Sequence, residues 1–481
     1  MTSVSPILER WERIVRESGA SSAIVDAGIG SSTTFEQIDE MALMFESRFF
    51  RDLPAGSLVI WRAPRFRPAL AQCSAALIAA LRRRIALLLV DSSSTDSQLE
   101  SIRESSRAHR LVMSSASGEL TGHSFQRHDA PHWAQTPPAL LKLTSGTTGS
   151  PKFVPFTDHA LLADATNVMR TMAFACGDIN LSVIPCTHSY GLGNILLPLI
   201  AAGVPAIDCC DRTPRAILAA IELHSATVFP GTPVLFQSLA AIDGIARPRS
   251  LRLCISAGAL LRKSTADAWR ERFGKPLHSF YGSSECGGIC YSRNPSPDDP
   301  EGFVGAPLDG VRLERARNGE AGYAQYAVVS EALGQGYWPE SEDASFDGKR
   351  FISPDLLERT DTGEFIVRGR TTDRIEVGAR KLDPRYVEMI IEKHTGVAWT
   401  AVFGVPSGSR GHDVVAAVVP SASATISEAE LLGFVRRHCE AWQCPRDIWL
   451  LSEPPCNERG KLNRSELANR YREQVSKSLI Q

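Results

Sequence analysis

The sequence lacks an excess of charge of either sign: 52 Lys and Arg face 54 Asp and Glu, a formal net charge of −2. That balance removes the electrostatic reason to expect nucleic acid or an anionic membrane as a partner. Long apolar runs are also missing. The most apolar stretches, 69–81 and 195–207, fall short of the roughly 20 residues that a membrane span requires, and Pro198 and Pro205 interrupt the second. The opening text, MTSVSPILERWERIVRESG, has no basic flank leading into an apolar core, so a secretory leader is not expected and a cytoplasmic location is. The 11 cysteines form no paired CxxC pattern. A zinc knuckle or a disulfide scaffold is therefore not expected, and Cys209, Cys210, Cys286, Cys290, Cys439 and Cys444 read as small buried apolar residues. No internal repeat or low-complexity tract occurs.

What is present is the mixture of a large globular protein, with 43% hydrophobic and 22% charged residues over 481 positions. Such a chain has the mass for more than one core. Continuous apolar runs alternate with helical stretches: LVIW at 58–61, an Ala-rich helix over about 66–82, IALLLVD at 85–91. The unit recurs, with a helix over 97–108 before RLVM, one over 214–224 before ATVF at 226–229, and a strand at 252–255 before a helix near 264–273. Strands that read as unbroken Val/Ile/Leu fit parallel sheets buried on both faces, hence an α/β architecture. After about Gly302 the texture changes. YAQYAVVS, RFISPDLLERT and GEFIVRGR alternate and are punctuated by Gly and Asp, as antiparallel hairpins are. Helices return at 384–393 and 427–440, with strands WTAVFGV and DVVAAVVP between them. The polar run Gly369–Asp373 marks a boundary between an N-terminal domain, 1–370, and a C-terminal one, 371–481.

The segment LTSGTTGSPKFV, 143–154, packs Gly146, Gly149, Ser145, Thr147, Thr148 and Lys152 into one loop after a strand. Glycines let backbone N–H groups approach an anion, and the hydroxyls and Lys152 add donors, so a polyphosphate is the natural guest of such a loop. It is not a Walker loop, because Pro151 stands where that form needs its second Gly. By itself the segment also reads as a polar surface loop.

Other segments decide between these readings. Thr144–Lys152 resembles the "TSG(S/T)TGxPK" signature of the adenylate-forming superfamily: acyl-CoA synthetases, adenylation domains and luciferases. Tyr281-Gly282-Ser283-Ser284-Glu285 resembles its "YGxTE", with Ser in place of Thr. Pro354-Asp355 with Gly369-Arg370-Thr371-Thr372-Asp373 resembles "GD" plus "GRxxD", and 455–464 resembles "PxTxNGKxxR". ISAGALL (255–261), GFVGAPLDG (302–310) and QGYW (335–338) are weaker echoes. The strong matches follow the family order across 143–464.

The resemblance implies an α/β N-terminal domain with mixed and parallel sheets and a small barrel-like β subdomain, followed by a small mobile α+β lid. It implies ATP, Mg²⁺ and a carboxylic acid as reaction partners, with coenzyme A or the phosphopantetheine of a carrier protein as acceptor. Carried over residue by residue, the loop Thr144, Ser145, Gly146, Thr147, Thr148, Gly149 and Lys152 would hold the β- and γ-phosphates, with Thr148 among the catalytic residues. Ser284, beside Gly282, would meet the α-phosphate, and Glu285 would offer Mg²⁺ a hard carboxylate oxygen. Tyr281 would stack on adenine, with the backbone of Ala257 and Gly258 opposite. Asp355 would accept from the ribose hydroxyls, Arg370 would reach ribose and phosphate, and Lys461 would bridge the substrate carboxylate and the α-phosphate. In SVIPCTHSYGLGN, 182–194, His188 looks like the His of "PxxHxxG" in acyl- and aryl-activating members. No Asp lies in that segment to pair with an ammonium, which points to an aryl or fatty acid rather than an amino acid; His188 as a capped strand end is the alternative.

The chain departs from the pattern at the hinge, where Thr372 replaces Asp or Lys, at Glu376 in place of a Lys, and at Ala379 after Gly378. Those positions bear on the thiol-accepting step. No GxDS-type carrier segment follows Arg464, so a carrier acceptor is expected to be a separate chain. Loading of such a carrier, and a nucleotide-binding regulator without turnover, are the rival readings; the presence of both Glu285 and Lys461 speaks against the second.

Overall fold

The structure is a computed structural model that describes residues 5–64, 69–114, 119–125, 133, 136–144, 151–242, 247–318, 323–339, 345–347, 349–371, 374–377, 380–407, 411–421, 424, 426–455 and 462–478. The chain forms two compact units. One comprises Met1–Ala316, Ala327–Ser353 and Arg359–Ile366, the other Arg317–Tyr326, Pro354–Glu358 and Val367–Gln481.

In the first unit the apolar runs form buried parallel strands. A six-stranded sheet runs in the order Leu120–Ser124, Arg110–Ser114, Leu58–Arg62, Ala86–Val90, Leu140–Leu143, Phe153–Phe156. Every residue of Ala86–Val90 is buried. The adjacent helix, Ala69–Arg83, buries nearly its whole circumference, from Leu70 and Ala71 through Cys73 to Leu81, because a helix apolar all round must be packed on all sides. The helix expected from 97 spans Asp96–Ser106. It starts at a capping box in which Thr95 and Gln98 satisfy each other's backbone N–H groups, and Arg107 ends it by entering the left-handed region at φ 59°.

The second sheet of this unit contains the parallel strands Ser22–Asp26, Ala206–Asp208, Asn180–Ser182, Val228–Gly231, Leu253–Ser256 and His278–Ser283, continued by antiparallel Gly287–Tyr291 and Phe303–Pro307. The hairpins read after Gly302 are strands Val311–Asn318, Ala324–Ser330, Phe351–Arg359 and Phe365–Arg370, and the boundary between the two units runs through them. The strand placed at 226–229 is found at Val228–Gly231. Thr227 does not extend it: its N–H donates to Ile179 O and its hydroxyl to Asp178.

In the second unit, Gly411–Pro420 pairs with Val397–Ser407 and, in parallel, with Asp447–Leu450. The strand's period of two sorts its residues. Val414, Ala416 and Val418 face Val387, Ile391, Leu431 and Val435, on helices Pro384–Ile391 and Glu428–Arg436. Val415 and Ala417 share a second cluster with Leu467 and Ala468 of helix Arg464–Ser478. The helix expected over 427–440 is shorter, because Ser427 is its N-cap and it closes at Arg437.

Cys286 and Cys290 are buried, as is Cys209, and Cys439 and Cys444 are half-buried; Cys210 is exposed, contrary to expectation, since its neighbour takes the inward side of the chain. Among the described residues no helix is long and apolar enough to cross a membrane.

Candidate active site

Leu140–Leu143 and Phe153–Phe156 form a hairpin with Leu143 opposite Phe153, so the 144–152 segment is its closing loop. Thr144 pins the base of that loop, its N–H and its hydroxyl donating to Lys152 O at 3.0 and 3.1 Å. Ser145, Gly146, Thr147, Thr148 and Gly149 lie outside the described residues. Residues 334–338 run alongside the hairpin: Phe153 and Trp338 exchange backbone hydrogen bonds of 2.9 and 2.7 Å, and Gln335 N–H donates to Pro155 O at 2.9 Å. Gly334 has to be glycine here, since a Cβ would collide with Val154 and lie 3.2 Å from Glu285 O.

That strip carries Tyr337, whose hydroxyl donates to Glu285 Oε1 at 3.1 Å. The Lys152 ammonium lies 5.2 Å from the centroid of the same ring, within cation–π range. Two residues read from separate motifs thus meet through a third, in the weaker echo QGYW, to which the motifs gave no role.

Glu285 sits in the turn between His278–Ser283 and Gly287–Tyr291, its N–H donating to Ser283 Oγ at 3.2 Å. The turn is tight enough that a Cβ on Gly282 would lie 2.6 Å from Gly287 O. The Tyr281 hydroxyl is 3.0 Å from Ser353 Oγ. Ala257 follows the strand Leu253–Ser256 and donates its N–H to Gly231 O at 3.1 Å, and Gly258 adopts φ +87°. Gly231, Ala257, Gly258 and the 281–284 segment therefore stand together at the carboxyl ends of neighbouring parallel strands, where open α/β sheets bind their ligands.

His188 precedes the helical run 189–202. Its neighbour Ser189 donates to Ser284 Oγ at 3.1 Å, tying the two motifs together. Although the 182–194 segment has no Asp, the fold brings Asp91 Oδ2 to 3.9 Å from His188 Nε2. That carboxylate is already engaged, accepting from Thr187 Oγ1 at 3.1 Å and from the N–H and hydroxyl of Ser93 at 2.9 and 2.7 Å. Burial pushes Asp91 up, but the Ser93 donors, His188 and Thr187 outweigh it and hold the carboxyl below its usual range. Tyr190 donates its hydroxyl to Ile255 O at 2.9 Å.

In the second unit, Asp355 is 3% exposed and accepts from Arg370 Nε at 2.6 Å, while Thr371 Oγ1 donates to Pro354 O at 3.1 Å. Lys461, Thr372, Asp373, Gly378 and Ala379 lie outside the described residues; Glu376 is exposed on Ile375–Val377. Three residues after Lys461, Arg464 is anchored: it donates from Nη2 to Glu388 Oε1 at 2.7 Å and from Nε to Val402 O at 3.0 Å. Glu388 also receives Val402 N–H at 2.8 Å and Arg385 at 3.0 Å.

Residues 11–315 match the family described as AMP-binding enzyme, and 386–461 match the AMP-binding enzyme C-terminal domain. The chain belongs to the AMP-binding enzyme family. It is 28% identical over 343 residues to the sulfoacetate–CoA ligase of Cupriavidus necator, covering 69% of this chain and 67% of that one. To the benzoate–CoA ligase of Thauera aromatica it is 30% identical over 341 residues, covering 67% and 64%. Among solved structures, ATP-bound MatB from Rhodopseudomonas palustris superposes with a TM-score of 0.84 at 21% identity, covering 98% of this chain and 99% of that one. The adenylate-forming resemblance, the α/β fold class and the reaction are thereby established. This AMP-binding enzyme is an acid–thiol ligase: it consumes ATP to turn a carboxylic acid into an acyl-adenylate, then passes the acyl group to a thiol.

Of the predicted residues, the enzyme groups Thr144, Lys152, Ser284, Glu285 and His188 in the first unit, through Tyr337 and Ser189. Asp355 and Arg370 pair with each other in the second. Tyr337 and Asp91 are the residues that sequence reasoning missed; QGYW and the Asp closing IALLLVD were the available signals. No group of three or more His, Cys, Asp or Glu able to hold a metal occurs among the described residues. A lone carboxylate such as Glu285 fits Mg²⁺ that draws its other ligands from phosphates and water.

Proposed function

We propose that the acid activated by this ligase has no α-amino group, with an aryl acid as the first candidate, and that coenzyme A is the acceptor. The reading rests on the joining of His188, Ser189 and Ser284 beside Glu285, in a segment without a carboxylate free to receive an ammonium. Relatives named for benzoate and feruloyl thioesters support the aryl choice. We assign the reaction to the cytoplasm, and we take 1–370 as the domain that binds ATP and acid and 371–481 as the mobile lid.

The chemistry then divides among named groups. A carboxylate is a poor acyl donor because its leaving group is oxide; attack of its oxygen on the α-phosphorus of ATP expels pyrophosphate and installs AMP as the leaving group. Thr144, the loop after it and Lys152 hold the β- and γ-phosphates, and Ser284 donates to the α-phosphate. Glu285 holds Mg²⁺, which supplies charge neutralisation on the phosphates. Tyr281 and the backbone at Ala257 and Gly258 hold adenine, Asp355 and Arg370 the ribose. Lys461 stabilises charge where carboxylate and α-phosphate meet. The thiol then attacks the acyl carbon and AMP departs. Pyrophosphate release and hydroxylamine trapping across aryl, fatty, hydroxy and amino acids test this, followed by coenzyme A and a phosphopantetheinylated carrier as acceptors. Simple carboxylic acids should outperform every proteinogenic amino acid; the reverse order would overturn the substrate class.

A further inference from the structure

A charge pair that none of these roles uses is buried within the first unit. The side chains of Lys142 and Asp164 are each 3% exposed, with Nζ 3.6 Å from Oδ2. Lys142 stands on the strand Leu140–Leu143 opposite Val154, two residues before Thr144. Its ammonium lies 4.2 Å from the centroid of Phe156, and among the described residues no acceptor stands within hydrogen-bond distance of it. Asp164, on helix Asp158–Thr171, accepts the Gly288 N–H at 3.0 Å. The chain at Gly287, with φ +70°, passes so close that a Cβ there would collide with the Asp164 carboxylate, and a Cβ on Gly193 would lie 3.3 Å from Oδ2. Three segments converge on this one carboxylate: the root of the 144–152 hairpin through Lys142, the Glu285 turn through Gly287 and Gly288, and the helical run after His188 through Gly193.

As a stability element the pair is a poor choice. An ammonium with unmet donors and a carboxylate, both taken out of water, are commonly matched or bettered by apolar side chains of the same volume. Its geometry is better suited to setting position. The hydrogen bond fixes the strand after Glu285 against helix Asp158–Thr171, and the ion pair draws the strand before the phosphate loop to the same point. We propose that Lys142 and Asp164 are positioning residues that hold the phosphate hairpin in register with the Glu285 turn. This rests on the assignment of the loop and Glu285 to ATP and Mg²⁺.

The test compares stability with ATP kinetics in the full-length enzyme. In Lys142→Met/Asp164→Asn both charges are gone while the Asn carbonyl still accepts the Gly288 N–H. Its thermal midpoint should equal or exceed that of the wild type. Its kcat/KM for ATP, read by hydroxamate trapping, should fall about tenfold or more, since displacements of an ångström cost on that scale; KM for the acid should move much less. A stable double variant with wild-type ATP kinetics overturns the proposal. If the double variant does not fold, Asp164→Asn alone should show the same ATP-side loss, and wild-type kinetics there overturn it. Unfolding of both makes the pair a stability element and overturns it equally. Glu285→Gln is the separate arm: activity close to wild type in it means that the site assignment has failed, whereas loss there beside an unaffected double variant refutes only the role of the pair.

Discussion

Tyr337→Phe removes one oxygen from the enzyme and little else. The Tyr337 ring would keep its place beneath the Lys152 ammonium and its edge contact with Phe346, 5.3 Å between centroids at 85°. The 3.1 Å hydrogen bond to Glu285 Oε1 is lost. Hydrogen bonds to charged groups contribute about 1.5–3 kcal/mol. Both partners are half-buried, so the lower end applies, and about 1.4 kcal/mol is a factor of ten in rate. If Tyr337 orients the carboxylate that holds Mg²⁺, kcat/KM for ATP should fall roughly tenfold. The Mg²⁺ concentration needed for half-maximal rate should rise, with the thermal midpoint almost unchanged. Pyrophosphate release measured across a Mg²⁺ titration reads both. Rates within about twofold of wild type at every Mg²⁺ concentration, far less than the loss of such a bond implies, would refute the reasoning.

Further outcomes follow from the same structure. Gly334→Ala should lower both stability and ATP turnover, because a Cβ there collides with Val154 and crowds Glu285 O; a variant with wild-type melting and kinetics would contradict the close approach. Acid should destabilise the fold through its held-down carboxylates. Burial raises Asp178, but Arg252, the Ala175 N–H and Thr227 outweigh it; burial likewise raises Glu388, but Arg464, Arg385 and the Val402 N–H prevail. Since both folded values lie below the unfolded ones, their contribution is complete above about pH 4–5 and is lost as pH falls through the folded values. Thermal midpoints should therefore drop on acidification in that window, and less steeply in Arg252→Gln; a midpoint that climbs there would show the sign to be wrong.

Much of this was legible in the sequence, for reasons that can be located. Strands such as Ala86–Val90 are buried on both faces, so their text is unbroken aliphatic and survives reading one window at a time. The 144–152, 281–285 and 455–464 segments are local, so their residue types can be read without the fold. What escaped was long-range. Nothing in the text near His188 announces Asp91, which reaches it from the end of another strand. Lys142 lies within a short apolar strand, and its partner is set by which helix crosses that strand. Tyr337 stood in a recognised echo, QGYW, yet its tie to Glu285 exists because residues 334–338 pair with the hairpin. Boundaries failed where side chains compete for the backbone, as at Thr227.

Lys461 is proposed to act in one half-reaction only. Arg464, clamped by Glu388, fixes the start of the last helix three residues beyond Lys461. Under the assignment proposed above, Lys461 would stabilise charge while the acyl-adenylate forms and would be withdrawn when the thiol attacks. The decisive measurement is the rate of both steps on one preparation of Lys461→Ala: adenylate formation from acid and ATP, and thioester formation from synthetic acyl-adenylate and coenzyme A. The first step should slow by on the order of 100-fold, and the second should change much less. Equal losses in the two steps would contradict this assignment.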